Sequence, residues 1–212
     1  MDSFIVGLWA RVFGALGWLS PFQLVRALVP RVRLSYVFVD FWVLGQLILA
    51  VVSLAVSSPG AIRGWEWALL VYGATRVFEI VVYQVNVLLF DEYRTLKCGG
   101  HYAVRGYRRL VVLAVHNYVE VVVWFAFAYR NFSYLFGSQK MQLDCLTGSL
   151  YFAIVTVATL GYGDITPTDP RGAWIVMGQS AVGLFMTLMV LARFIGILRR
   201  PATLDPLEPG AD

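Results

Sequence analysis

Charge is scarce in this sequence. Of its 212 residues 14% are Asp, Glu, Lys or Arg, against about 25% in an ordinary soluble domain. The shortage argues against a disordered chain, which carries much charge and little apolar content, and against a water-soluble globule. Cysteine is limited to Cys98 and Cys145, in different polar stretches, which leaves neither a disulfide framework nor metal-ligand spacing. Lysine is limited to Lys97 and Lys140, and every other basic residue is Arg. The net charge of +4 is spread between apolar runs and forms no single patch, so a nucleic-acid partner is not expected. No nucleophile–base arrangement or phosphate-binding loop appears. Neither an enzyme nor a cofactor is therefore expected, and no small-molecule substrate is evident. What is plentiful is apolar: 59% of the residues are hydrophobic, which calls for lipid as the solvent.

Four apolar stretches are long enough to cross a hydrocarbon core, which needs about 20 helical residues. They run from Tyr36 to Val56, Trp67 to Phe90, Leu110 to Tyr129 and Ala173 to Leu198. Trp65, Trp67 and Trp174 stand near the proposed ends, at the headgroup level that amphipathic rings prefer. A fifth stretch, Leu146 to Val157, is too short to span. It suits a re-entrant helix, tolerated at membrane depth only where protein or water covers its ends. Basic residues set the direction. Arg11, Arg26, Arg31 and Arg33 precede the first span, and Arg94, Lys97, Arg105, Arg108 and Arg109 lie between the second and third. The opposite side holds Arg63 in its first short loop, with Arg130, Lys140 and Arg171 scattered in the later one. The positive-inside rule predicts a multi-pass protein of the cell membrane with both termini cytoplasmic.

Before the first span, Phe4 to Leu19 would be about 24 Å long as a helix, short for a crossing, and Arg11 interrupts it. Ser20-Pro21 has the form of an N-cap followed by proline at the first helical position, opening a second short helix that Pro30 stops. This amphipathic arm is expected at the membrane surface, either as an anchor or packed on a neighbouring element. A cleaved signal peptide is not expected, since the charged n-region and the small-residue cleavage site are both missing.

The chemistry concentrates in Ser149 to Pro167, SLYFAIVTVATLGYGDITP, centred on Thr159-Leu160-Gly161-Tyr162-Gly163-Asp164. A potassium ion crossing a bilayer must exchange its water shell for other oxygens. Four copies of an extended strand with inward carbonyls supply stacked rings of such ligands. Turning successive carbonyls to one side needs backbone angles that a Cβ opposes, which gives Gly161 and Gly163 a physical reason. Thr159 adds a hydroxyl ring at the inner end. Tyr162 points away from the axis and can brace against the preceding helix, whose aromatic positions are Tyr151 and Phe152. That helix also aims its negative C-terminal end at the central cavity, where it favours a cation.

From about Leu110 to Arg200 the sequence resembles the potassium-channel pore-loop family. The family's filter reads Thr-Val-Gly-Tyr-Gly, and this chain differs only in Leu160; Thr156 and Asp164 match as well. The resemblance implies an all-α membrane protein with four transmembrane helices per subunit and a re-entrant pore helix and filter between the third and fourth. It also implies a homotetramer in the lipid bilayer, with K+ as permeant ligand at Thr159, Leu160, Gly161 and Tyr162 and Gly163 completing the filter. Tyr151, Phe152, Val155 and Asp164 become its supports. Departures from the pattern are Tyr151 and Phe152 for frequent tryptophans, Val155 where some members carry a carboxylate, and Ala158 for a frequent threonine. The resulting division is 1–35 arm, 36–90 two accessory helices, 91–109 basic cytoplasmic loop, 110–200 pore domain and 201–212 short cytoplasmic tail. No large cytoplasmic ligand-sensing domain is expected in so short a tail.

The family often has a glycine hinge in the inner helix, and Gly183 falls at its position; close packing is the other role open to it. Steps of four from Gly183 give Thr187, Leu191, Ile195 and Arg199, read as one face whose leucine and isoleucine gate by dewetting. The second span carries no arginine ladder, but Tyr72, Arg76, Glu79, Tyr83 and Asn86 make one polar stripe that cannot face lipid cheaply. Arg76 is expected to pair with Glu79 or with Glu120 of the third span, either docking the extra helices or sensing voltage or pH. Asp40 and Arg193 are read as interfacial anchors and His101 as a solvated loop residue. Asn131-Phe132-Ser133 has the form of a glycosylation sequon, and His116 with Glu120 is an incomplete metal pair. The function expected is a potassium-selective channel. A non-conducting modulatory subunit of another channel and a potassium transporter subunit are the alternatives.

Overall fold

The computed structural model describes residues 4–18, 36–58, 62–99, 106–138 and 142–195. The order is α1 (Phe4–Trp18), α2 (Tyr36–Val56), α3 (Gly64–Val85), a π-helical turn (Asn86–Phe90), α4 (Asp91–Lys97), α5 (Tyr107–Asn131), a 3-10 turn (Ser133–Leu135), β1 (Phe136–Ser138), α6 (Leu146–Val157), β2 (Ile165–Pro167) and α7 (Pro170–Ile195). Among the described residues four helices are long and apolar enough to cross a membrane: α2, the continuous rod α3–α4, α5 and α7. The protein is a multi-pass membrane protein built on helices. The short antiparallel pair β1–β2, with Gly137 opposite Thr166, is the addition that an all-α reading misses.

Helix α2 is apolar nearly all round, and the serines in it and just past its end bond back to its carbonyls: Ser53 donates to Leu49 O (2.7 Å) and Ser57 to Leu54 O (2.9 Å). The turn into α3 is closed by one buried carboxylate. Glu66 accepts the backbone amides of Ser58 (2.9 Å) and Arg63 (2.7 Å), so a third-position glutamate serves donors that the helix leaves orphaned.

Residues 91–109 were expected as a loop, yet the helix runs on through Asp91–Lys97, and α5 already begins at Tyr107. The change from apolar to charged residues marks where lipid ends, not where helix ends. Asp91 pairs with Arg94 one turn on (3.3 Å), and Thr95 caps Asp91 O (2.8 Å). At 34 residues the rod is about 51 Å long, well beyond the hydrocarbon core.

The central element is α5, which packs on α2, α3, α6 and α7. Its Ala114, Ala126, Phe127 and Tyr129 are fully enclosed. Close approach of α3 depends on Gly73, where a Cβ would stand 2.5 Å from the Trp124 ring. Helix α1 packs on the rod: Arg94 donates to Ala10 O (2.8 Å), Asn86 donates to Phe13 O (2.9 Å), and the Phe13 and Phe90 rings stack at 5.8 Å. Of the arm, residues 19–35 with Ser20-Pro21 lie outside the described residues, as do His101, Arg199 and the tail 201–212.

Candidate functional site

The segment singled out from sequence starts where α6 stops. The stop is a Schellman-type cap: Leu160 N–H reaches Val155 O (3.0 Å) and Thr159 N–H reaches Thr156 O (3.1 Å). Such a cap needs a left-handed residue, usually glycine, and here Thr159 takes it at φ 57°. A β-branched residue in that region is strained by about 1–3 kcal/mol, the kind of cost that structures retain at functional positions. Positive φ then recurs at Gly161 (55°) and Gly163 (75°), while Leu160 and Tyr162 between them do not share it. Nothing stands within 4 Å of a Cβ built on either glycine, so the backbone angle, not crowding, is what requires glycine there. Alternation of this kind lets successive carbonyls face one side.

Two joints hold the ends of the segment. Tyr151 donates to Asp164 Oδ2 at 2.8 Å, tying α6 to the chain just after Gly163. Beyond it Ile165 is buried, and β2 pairs with β1, fixing the exit. Phe152 was expected beside Tyr162; instead it is buried against Tyr129 (centroids 4.7 Å) and Phe136 (5.6 Å). Adjacent positions on a helix point about 100° apart, and within the single chain Tyr151 faces Asp164 while Phe152 faces Tyr129 and Phe136. Val155 is buried, and Leu160 and Tyr162 are exposed on the single chain.

Behind the segment lies a polar joint that sequence reasoning missed. Tyr129 of α5 donates to Gln179 Oε1 of α7 (2.6 Å), and Gln179 Nε2 donates to Ala153 O of α6 (2.8 Å). All three residues are fully buried. A lone glutamine inside an apolar run was the available signal.

The gating candidates divide. Gly183 is buried against α6, where a Cβ would meet Val157 Cγ2 at 2.6 Å, so it is a packing glycine in this conformation. Thr187 donates to Gly183 O (2.9 Å) and reaches Tyr118 Oη of α5 (3.4 Å). Leu191 and Ile195 are exposed. Steps of four advance about 40° each around a helix, so Thr187, Leu191 and Ile195, all exposed, lie within about 80° of one another, and the buried Gly183 stands about 40° further round. Leu184 and Leu188 are exposed as well, so an exposed stripe also runs through Leu184, Leu188, Leu191 and Ile195, at alternating steps of four and three.

The intramembrane charges meet. Arg76 donates to Glu120 through Nε (2.8 Å) and Nη2 (3.2 Å), and through Nη1 to Glu79. All three side chains are buried. Two more members of the polar stripe serve neighbours: Tyr72 donates to Gln46 of α2 (2.6 Å), and Asn86 donates to Phe13 O of α1. Asp40 pairs with Arg109 (2.7 Å), and Arg193 donates to Leu110 O (3.1 Å). With Glu120 held by Arg76 and the His116 ring against Val112 O (2.9 Å), the two do not form a ligand pair. Asn131 is buried with its amide donated to Phe127 O (2.8 Å), which withdraws it from any glycosylation role.

A short, partly buried helix thus stands between two spanning helices and is followed by a segment with alternating left-handed residues. Residues 118–200 match the family model described as "Ion channel". Among curated proteins it is similar to Protein LctB of Bacillus caldotenax, 34% identical over 59 residues, 28% of this chain and 43% of that one. It is also similar to Protein LctB of Geobacillus stearothermophilus, 33% identical over 54 residues, 26% and 40% of the two chains. The chain thus spans less than half the length of the curated relatives it matches. No solved structure matches.

Proposed function

We propose that the chain is one subunit of a homotetrameric, potassium-selective channel of the cell membrane, with both termini cytoplasmic and residues 159–163 as its filter. The observation that carries this is the backbone of Thr-Leu-Gly-Tyr-Gly, left-handed at 159, 161 and 163 only. Carbonyls of Thr159, Leu160, Gly161 and Tyr162 then replace the water shell of a K+ ion, with the Thr159 hydroxyl at the inner end. One chain offers one strand, and a ring of ligands needs several, which is the reason for fourfold assembly.

Exposure supports the same conclusion. Residues 158–163 are exposed on the single chain although they lie between two spanning helices. Irregular backbone at membrane depth is tolerated only where it is covered by protein or lines water. The stripe Leu184–Leu188–Leu191–Ile195 continues inward from the segment and forms the apolar wall of the same path, where narrowing excludes water and stops conduction.

The test is the reversal potential of the purified protein in a planar bilayer under opposing K+ and Na+ gradients. Reversal at the K+ equilibrium value is expected, and Gly161→Ala, which forces a Cβ into a left-handed position, should abolish the current. Reversal near zero overturns the selectivity. An assembled but silent protein would favour a non-conducting modulatory subunit.

A further inference from the structure

We propose that Gln179 is a positioning residue for the 159–163 segment, its buried amide setting where helix α6 ends. The inference rests on the reading of that segment as the ion filter. Gln179 uses both halves of its amide in opposite senses: Oε1 accepts from Tyr129, and Nε2 donates to Ala153 O. An ionised glutamate lacks the donor, and leucine lacks both groups. The joint therefore has a direction, from the α5 hydroxyl through α7 to an α6 carbonyl.

A second contact one turn along doubles the constraint. Gln179 and Gly183 are four apart on α7, and their partners Ala153 and Val157 are four apart on α6. One contact is a hydrogen bond and the other is close van der Waals packing that only a glycine admits. Together they fix both the rotation of α6 and its register along α7. Val157 is the last residue of α6 and Thr159 its left-handed cap, so any slide of α6 moves the first carbonyls of the segment. A shift of α7 would be passed to those carbonyls by the same route, linking the inner helix to the filter through side chains that touch neither ion nor lipid.

The test compares wild type with Gln179→Leu, which keeps bulk and removes both bonds, and with Tyr129→Phe, which removes one donor. Two readouts are taken on assembled protein: the K+ over Na+ permeability ratio and hydrogen exchange at the Thr159 and Leu160 amides. Gln179→Leu should lower the ratio about tenfold and speed exchange at those amides about tenfold, the equivalent of one net buried hydrogen bond. Tyr129→Phe should shift both in the same direction by less, and it serves as the measurement should Gln179→Leu fail to assemble. Exchange in α2 should stay as in wild type. A variant that melts at lower temperature yet keeps the wild-type ratio and exchange at 159–160 has lost only general stability, and that result overturns the proposal. If wild type itself proves unselective, the filter reading fails, while faster exchange at 159–160 in the variants still upholds the positioning role.

Discussion

Helix α5 is gripped by two buried polar joints of opposite kind. Near its middle Glu120 is engaged by Arg76, which also serves Glu79; near its C-terminal end Tyr129 reaches Gln179. The first joint is made of full charges and attaches the accessory helix α3. The second is neutral and ties α5 and α7 to α6. Removing charges from water costs several kcal/mol per ion, so the charged joint contributes little net stability but is very intolerant of losing one member. The neutral joint is inexpensive to form, and its value is directional. A charged clasp suits an attachment that must not be made wrongly, whereas an amide bridge suits a joint that must hold a direction.

Breaking the charged joint should give the largest effect. Arg76→Leu leaves two buried carboxylates without their guanidinium and should cost about 3–5 kcal/mol, read as a large fall in melting temperature and in yield of assembled protein. The combination Arg76→Leu, Glu79→Gln, Glu120→Leu removes the charges together and should recover most of the loss. Unchanged melting in the single variant would show that α3 is held by packing alone. An intermediate effect is expected at the packing partner of the neutral joint. Gly183→Ala drives a methyl into Val157 and should cost about 1–3 kcal/mol, with partial rescue by Val157→Ala in a double-mutant cycle. Absence of coupling in that cycle would return Gly183 to the role of hinge.

The two joints also differ in how visible they were beforehand. Arg76, Glu79 and Glu120 announce themselves, because charge within an apolar run is costly and helical spacing puts Arg76 and Glu79 on one stripe. Gln179 does not, since a single amide in a spanning helix has no periodicity to read. The positions read as requiring glycine, 161 and 163, are those with positive φ, because that argument came from backbone sterics alone. The left-handed Thr159 was invisible, as nothing in a threonine foretells a Schellman cap. Apolar length located the four long helices. It failed at Asp91–Lys97, where helix outlasts hydrophobicity.

The smallest effect belongs to a third joint, exposed where the other two are buried. Asp169 caps α7 ahead of Pro170: its Oδ1 accepts the Arg171 amide (2.7 Å) and Nε (3.0 Å), and Oδ2 accepts Nη2 (3.0 Å). Hydrogen bonds from the Arg171 side chain, then from its backbone, hold the carboxyl below the usual range. A carboxylate whose pKa falls on folding contributes stability that is complete above its unfolded value, about 4, and is lost as pH drops through the lower folded value. The melting temperature of wild type should therefore exceed that of Asp169→Asn slightly at neutral pH, and the gap should close in acid. Because Arg171 is largely in water, the gap should also shrink in high salt. Asparagine keeps the cap but not the charge, so a gap that persists in acid below the folded value, where the carboxyl is fully protonated, would assign the stabilisation to geometry and not to the ion pair. The Arg76 joint, buried in the helix bundle, should show no such salt dependence, and the contrast between the two responses measures how far burial separates them.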